Sequence, residues 1–355
     1  MSGGPGTGRR RAVWRWVLRV GTVLVLVAAV EYVVVPRLAG AERTLRLLAT
    51  VNPWWVTAGV SLEILSLVSY SLFSLRILGV RDKGLWWMVR TDVSGLAVSH
   101  LVPAGAAAGN AVRYRLLRSA RMSIEDAGAG VTLEGIGSLL ALLTVLWAAL
   151  VAAALRYGPS PVYVAPVVFG AVAVGLTVLA HRQARGSRLG IQLAHAFPAL
   201  IPRRFRPTVI AAVHRFTADA EHLFTDRRHL WDCARWAMAN WCFDAASLWC
   251  FLAAFGVRID PVGVLVAYAG ANTLGALPVT PGGLGLVEGS LIPALIAFGG
   301  PPQAVLLGAL SWRLVEFWVP IPLGGVAYLS LRAQDRFAPL PMGRAKQSRP
   351  RDPSR

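Results

Sequence analysis

Charged side chains are rare in the apolar stretches of this sequence, and the few that occur there are the first candidates for chemistry. Glu288 directly follows a break rich in proline and glycine, and Arg313 and Glu316 lie in the next apolar stretch. Arg313 and Glu316 are close enough in sequence to share one helix face, so they can pair. An ionisable group in an apolar segment is costly unless a partner or a water-filled cavity surrounds it. The pattern predicts a polar cleft inside an apolar protein.

A second set of candidates lies earlier in the chain. Asn110 and Arg113 follow another break, and Glu134 falls in the next apolar stretch. The interval from Asn110 to Glu134 nearly equals the interval from Glu288 to Arg313. An amide such as Asn110 offers both a donor and an acceptor. The residues predicted to face one cleft and to bind or move a substrate are Glu288, Arg313, Glu316, Glu134, Arg113 and Asn110.

Two interrupted apolar segments position these side chains, at about residues 92–112 and 262–298. Proline and glycine interrupt helices, and broken backbone inside hydrocarbon is tolerated only where protein or a wet cavity surrounds it. The residues expected to break the helices are Pro103, Gly105, Gly109, Pro278, Pro281, Gly282, Gly283 and Gly285. Glu288 then begins the helix that leaves the second break, where free N–H groups and the helix dipole favour a carboxylate.

The composition indicates a membrane protein, since 55% of the 355 residues are hydrophobic and 15% are charged. Several apolar runs reach the roughly 20 residues that a spanning helix needs. The sequence therefore predicts an all-α polytopic membrane protein with about six full spans and two re-entrant broken-helix segments. The predicted spans are Trp16–Val35, Trp54–Ser74, Gly128–Leu155, Val162–Ala180, Trp236–Phe255 and Ala304–Leu331.

The distribution of basic residues predicts the orientation. If both interrupted segments enter and leave on the same side, 29 basic residues lie in the cytoplasm and five lie outside. This bias favours cytoplasmic N and C termini. The first re-entrant segment then enters from the cytoplasm and the second from outside, which resembles the inverted repeats of secondary transporters. We expect a multi-pass protein of a bacterial plasma membrane.

The remaining segments are connections and tails around a single membrane domain at residues 16–331. Residues 1–15 and 332–355 are predicted to be basic cytoplasmic tails, the second one disordered. Residues 182–235 contain an amphipathic helix, which either lies on the inner leaflet or packs on the cytoplasmic helix ends. The net charge of +18 is spread over short connections, so nucleic acid is not an expected partner.

The sequence gives no sign of catalysis. It contains no zinc motif, Ser-His-Asp spacing, P-loop or dinucleotide fingerprint, so we expect no enzyme activity, no cofactor and no metal. Three further acids occur in or beside apolar stretches. Glu63 and Asp244 are single acids on apolar spans, and Asn240 near Asp244 suggests a hydrogen bond between helices. Asp92 is interpreted as a helix N-cap.

Three motifs resemble the flippase-like membrane domain of lysylphosphatidylglycerol synthetases, across about residues 92–331. The most specific is Pro278-Val279-Thr280-Pro281-Gly282-Gly283-Leu284-Gly285-Leu286-Val287-Glu288. The weaker ones are the break at 101–113 with its arginine and the 312–320 element with Arg313 and Pro320. Asn110 stands where the family often has an acid, and Gly135 where it often has a base. The departures predict a missing charge pair in the first unit.

The resemblance implies a stand-alone lipid translocase that lacks the aminoacyl-transferase domain. The expected partners are membrane lipids with anionic or phosphate-bearing headgroups, since a phosphate suits the free N–H groups at a broken helix. Self-association is left open. Two alternatives also stay open, namely a non-transporting scaffold for cell-envelope lipid or glycan enzymes, and a transporter of small solutes or ions.

Overall fold

The structure is a computed structural model of the chain. It describes residues 51–80, 83–102, 105–120, 122–168, 170–171, 226–277 and 279–337, with side chains described as far as Gln334. These residues contain helices and no strands, which confirms the predicted all-α class. The helices with both ends described are α1 (Pro53–Leu78), α2 (Leu85–Leu101), α3 (Gly105–Ser119), α4 (Ile124–Tyr157), α5 (Arg227–Ala254), α6 (Pro261–Gly275), α7 (Leu286–Ala297), α8 (Pro302–Arg313) and α9 (Pro320–Phe337).

Three stretches of the described chain are long and apolar enough to cross a membrane. They are α1, α4 and the rod formed by α8, a π-helical turn at Leu314–Trp318 and α9 up to Gln334. Each contains one of the predicted spans. The predicted span at 236–255 coincides with the second half of α5, and residues 161–168 begin the helix expected at 162–180. The predicted span Trp16–Val35, residues 1–15 and 338–355 and most of 182–235 lie outside the described residues, so the number of spans stays a prediction. The start of the tail predicted to be disordered is wrong, because α9 continues as a helix through residues 332–337.

Local capping sets the ends of the long helices. Asn52 precedes α1 and accepts the Trp54 N–H at 3.0 Å, while Gly79 ends the helix in a left-handed conformation with φ of 61°. Ser123 caps α4 in the same way by accepting the Asp126 N–H at 3.0 Å. These contacts satisfy backbone groups that a helix end otherwise leaves unpaired.

Helices α2 and α3 form the first hairpin, in which the two chains run antiparallel. Ser99 lies against Gly105, Gly95 against Gly109, and Asp92 against Arg113. The sequence separation of the facing residues increases with distance from the turn, as it does in an antiparallel pair. A Cβ atom on Gly109 would come within 2.5 Å of the Gly95 carbonyl oxygen. The hairpin therefore packs backbone against backbone, which only small residues permit.

The first hairpin begins earlier than the sequence suggests. Helix α2 starts at Leu85 after Gly84, so Asp92 lies within the helix and its interpretation as an N-cap is wrong. The reason is that the apolar residues Leu85–Val89 already form the first turns of the helix. Arg90 lies in the same helix, and its guanidinium donates to Ser330 and Gln334 on α9.

Helices α6 and α7 form the second hairpin, again antiparallel. Gly275 lies against Gly283 and Val287 near the break, and Gly263 lies against Phe298 at the open end. The break itself is a 3-10 turn at Pro281–Gly283. Its glycines have positive φ, with 53° at Gly282, 72° at Gly283 and 81° at Gly285. Residues with a Cβ rarely adopt such values.

Helix α4 relates the two hairpins to each other. It starts just after the open end of the first hairpin and contains 34 residues. At the rise of an α-helix this length corresponds to about 50 Å. At its other end Arg156 bonds Asp260 at 2.7 Å and Tyr157 packs against Phe298, both at the open end of the second hairpin. The open ends thus lie at opposite ends of α4. Re-entry into a bilayer from opposite sides stays a prediction, but the hairpins have the opposed arrangement that it requires.

The tips of the two hairpins meet in the interior. His100, near the tip of the first hairpin, stacks on Phe317 with ring centroids 4.2 Å apart, and its Nδ1 lies 2.9 Å from the Phe317 carbonyl oxygen. A Cβ on Gly282, at the tip of the second hairpin, would collide with the same two rings. The π-helical turn therefore forms the junction between the two breaks.

Candidate functional site

A cavity of about 330 Å³, with charged and amide side chains set in a largely apolar wall, lies beside the hairpin tips. Its walls come from α1, the first hairpin, α4, α5, α6 and the π-helical turn. Four carboxyl groups and one guanidinium line it, together with three amides. The charged and amide residues that line the cavity are Glu63, Asp92, Asn110, Arg113, Asn240, Asp244, Asn272 and Glu316.

Arg113 forms the centre of the first charged cluster, which the hairpin and α4 build together. Its Nε donates to Asp92 at 2.9 Å, and its Nη2 donates to both oxygens of Glu134 at 2.5 and 2.6 Å. The Ser74 hydroxyl on α1 donates to Glu134 at 2.5 Å. The guanidinium also lies over the Tyr70 ring. Charge-assisted bonds of this kind compensate the loss of water around a buried cation.

The second charged cluster is centred on Arg313 at the end of α8. Its Nε bonds Glu288 on α7, its Nη1 donates to Glu316 at 2.7 Å, and its Nη2 donates to the Gly282 carbonyl at 3.3 Å. Glu288 also accepts the Gly285 N–H at 2.6 Å, as expected for a carboxylate in the first turn of a helix. This cluster therefore fastens the second break to the rod that follows it.

The two clusters have the same design with the charges reversed. In the first, the arginine lies on the second helix of the hairpin and the acid, Glu134, on the long helix that follows. In the second, the acid, Glu288, lies on the hairpin and Arg313 on the following helix. In both, a second carboxylate, Asp92 or Glu316, completes the pair and faces the cavity. Each cluster thus holds one cation between two acids.

A third group of acids was not among the predicted site residues. Asp244 on α5 accepts the Tyr268 hydroxyl and the Trp312 indole N–H, each at 2.7 Å. Glu63 on α1 faces it, because hydrogen bonds on either side of the two acids join α1 to α5. One oxygen each of Glu63 and Asp92 has no hydrogen-bond partner among the described residues. The signal that could have found these residues is the cost of any acid inside an apolar helix. The predicted bond between helices near Asp244 is confirmed, since Asn240 donates to Ser66 at 2.7 Å.

The predicted site residues divide into two groups. Asn110, Arg113 and Glu316 line the cavity, whereas Glu134 is fully buried behind Arg113. Arg313 and Glu288 are not among the cavity-lining residues; Arg313 bonds Glu316, which lines the cavity, and Glu288 bonds Arg313.

Positions 110 and 135 carry no charge pair, as the departures from the family predict, and both line the cavity. The first unit nevertheless has ion pairs of its own, because Asp92 and Glu134 both bond Arg113. Of the break residues, Pro103 and Pro278 lie outside the described residues. Gly105 and Gly109 do not break a helix, since both belong to α3, where they allow its backbone to pack closely on α2.

The described residues include no group of three or more His, Cys, Asp and Glu side chains that could hold a metal ion. The chemistry that the arrangement supports is binding. Buried carboxyl groups, a guanidinium and amides can hold a polar ligand, and the cavity is large enough for a small headgroup. The fold and the site therefore define a class, a polytopic helical membrane protein with two opposed helix hairpins around a charged cavity.

Comparison with known proteins gives the family. Residues 16–324 match the lysylphosphatidylglycerol synthase TM region, and the chain belongs to this family. A UPF0104 membrane protein of Methanothermobacter thermautotrophicus is 24% identical over 328 residues, which cover 86% of this chain and 94% of that protein. Another, from Pyrococcus horikoshii, is 20% identical over 316 residues, covering 83% and 92%. The chain thus resembles stand-alone membrane proteins over nearly their full length.

Proposed function

We propose that this protein moves a lipid headgroup across the membrane through the polar cavity while the acyl chains stay in the bilayer. The observation that carries the proposal is the cavity itself, since four carboxyl groups and an arginine line a space inside an otherwise apolar helical protein. Such groups are expensive in a membrane and mark substrate pathways. Their position at the meeting point of two opposed hairpins agrees with sites near the midplane of transporters with inverted repeats.

The charges that line the cavity favour one class of lipid headgroup over another. A purely anionic headgroup would meet four carboxyl groups, and it would have to displace Asp92 or Glu134 from Arg113 to bind the guanidinium. A headgroup that carries a positive group beside its phosphate fits better, because the carboxyl groups attract the first and Arg113 the second. We therefore propose a zwitterionic or amine-bearing phospholipid.

The test is leaflet exchange in liposomes that contain the purified protein. Fluorescent phosphatidylethanolamine and phosphatidylglycerol in the outer leaflet are quenched by a membrane-impermeant reductant, so the unquenched fraction reports exchange. We expect the protein to speed exchange of phosphatidylethanolamine more than that of phosphatidylglycerol. Equal rates with and without protein, for both lipids, would refute translocation and favour a scaffolding role.

A cavity-filling variant with a matched control ties any exchange to this site. Asn110→Leu places an apolar side chain in the cavity without removing a charge, whereas Ala107→Leu adds the same side chain on the exposed face of α3. One lost hydrogen bond to a charged group is worth about 1.5 to 3 kcal/mol. Asn110→Leu should therefore slow exchange about tenfold or more. Equal rates for the two variants would exclude the cavity as the path.

A further inference from the structure

Glu63 and Asp244 form a carboxyl pair to which no cation is bonded among the described residues. Glu63 lies on α1 and Asp244 on α5, both line the cavity, and their side chains are 4% and 6% exposed. The Ser247–Gly59 and Asn240–Ser66 hydrogen bonds join α1 and α5 on either side of the two residues, so the two carboxyl groups face each other at one level of the cavity wall. Two ionised carboxylates in this arrangement repel strongly, so a pair of this kind holds a proton.

The partners of Asp244 mark it as the ionised member. Its Oδ1 accepts the Trp312 indole N–H and its Oδ2 accepts the Tyr268 hydroxyl, both at 2.7 Å. An indole N–H can only donate, so Oδ1 must act as an acceptor. Two donors, one on each oxygen, stabilise a carboxylate rather than a neutral acid.

The partners of Glu63 mark it as the protonated member. Its neighbour Asp244 already acts as an acceptor at both oxygens. The nearest hydroxyl along α5, that of Ser247, donates its single hydrogen to the Gly59 carbonyl at 2.9 Å, so it offers none to Glu63. Glu63 thus accepts no hydrogen bond from the described residues, and a hydrogen between the two acids must come from Glu63. Its Oε2 has no hydrogen-bond partner among the described residues.

The charges around the pair favour the form in which it keeps one proton. From the π-helical turn Glu316 adds a further negative charge, from α6 the titratable neighbour is Tyr268, and α8 contributes the neutral Trp312. Arg313 is already bonded to Glu316 and Glu288, and Arg113 to Asp92 and Glu134, so both arginines of the charged clusters are already paired with other acids. If Glu63 released its proton, the pair would carry two buried negative charges until a proton or another positive group reached the cavity.

We propose that the Glu63–Asp244 pair binds one exchangeable proton at the cavity wall and that headgroup movement is coupled to the transfer of this proton. The step breaks the Glu63 O–H bond and passes the proton to water in the cavity, which leaves a carboxylate. The positive part of an arriving headgroup then compensates the new charge, and a proton returns when the headgroup leaves. The coupling rests on the proposed function, whereas the proton site itself does not.

Infrared spectroscopy tests the proton site without any transport. The C=O stretch of a protonated carboxyl group lies apart from the bands of ionised carboxylates. Wild-type protein should show this band near neutral pH, and Glu63→Gln should remove it while its amide still donates to Asp244. Asp232→Asn, a change near the start of the same helix as Asp244, where Asp232 is partly buried and pairs with Arg235, should leave the band unchanged. Tyr268→Phe should shift it, because Asp244 loses a donor. A wild-type spectrum without the band, or a band that Glu63→Gln does not remove, would overturn the proton site.

An imposed pH gradient tests the coupling in the same liposomes. If one proton moves per lipid, a gradient of one pH unit can shift the lipid ratio between leaflets by about tenfold. Glu63→Gln should abolish this shift, and Asp232→Asn should retain it. A wild-type protein that exchanges lipid without responding to the gradient would overturn the coupling. A protein that moves no lipid but shows the infrared band would refute translocation and leave the proton site standing.

Discussion

Arg113 gives the strongest test of how the buried charges hold this fold together. Its guanidinium, 4% exposed, is shared between Asp92 and Glu134, with N–O distances of 2.9 Å to the first and 2.5 and 2.6 Å to the second. Arg113→Gln keeps most of the side-chain volume but leaves two buried acids without a cation. Removal of one partner from a buried ion pair costs about 3 to 5 kcal/mol. We expect a loss of free energy of unfolding near the lower end, about 3 kcal/mol, since the glutamine amide can still donate to one acid.

Unfolding in mixed micelles with increasing sodium dodecyl sulfate, followed by tryptophan fluorescence, measures this loss. Arg115→Gln is the matched control, because Arg115 lies on the exposed face of the same helix. It should change stability by less than about 0.5 kcal/mol. Arg113→Lys should lie between the two, since one ammonium cannot replace the guanidinium fork that joins two carboxylates.

A double variant separates the charge from the packing. Arg113→Gln combined with Glu134→Gln leaves Asp92 as the single acid of the cluster, so the second change should restore part of the stability that the first removes. A coupling of about 0.5 to 3 kcal/mol is the range for residues in one network. The reasoning fails if Arg113→Gln is as stable as the wild type, or if the losses of the two single variants simply add.

Two further predictions concern the hairpins. Gly109→Val should separate the two helices of the first hairpin, because its Cβ alone would lie 2.5 Å from the Gly95 carbonyl oxygen. This overpacking should destabilise the fold by about 1 to 3 kcal/mol in the same unfolding assay. Gly128→Ala, with open space around the glycine, is its control and should be neutral or stabilising. For orientation, single cysteines at Arg115 and Ala297 in a cysteine-free background should react with impermeant reagents from opposite sides of the membrane, and labelling from the same side would refute the opposed hairpins.

The sequence alone predicts those parts of the site that depend on local spacing. Arg313 and Glu316 pair because residues so spaced share a helix face. Glu288 bonds the Gly285 N–H because the first turn of a helix leaves donors free. The glycines of the second break have the positive φ values that their type allows. Each of these contacts is decided within one or two turns of chain.

Contacts between distant segments could not be predicted in this way. Glu63 and Asp244 meet because α1 packs along α5, and no pattern within either helix encodes that pairing. The bond between Arg113 and Asp92 could not be predicted for a related reason, since Asp92 lies on the other helix of the hairpin and no local spacing links the two residues. The apolar residues before Asp92 also hide its position inside a helix, because they are equally compatible with a connection.

The reversal of charge between the two clusters has a consequence for assembly of the chain in the membrane. Each hairpin docks on the helix that follows it through one of these ion pairs. Exchange of the two hairpins would bring Arg113 against Arg313, and Glu288 against Glu134, so like charges would meet in a medium that cannot screen them. The correct arrangement is the one in which every arginine faces an acid. The ion pairs therefore favour docking of each hairpin on its own helix over the exchanged arrangement, and they do so without any ligand.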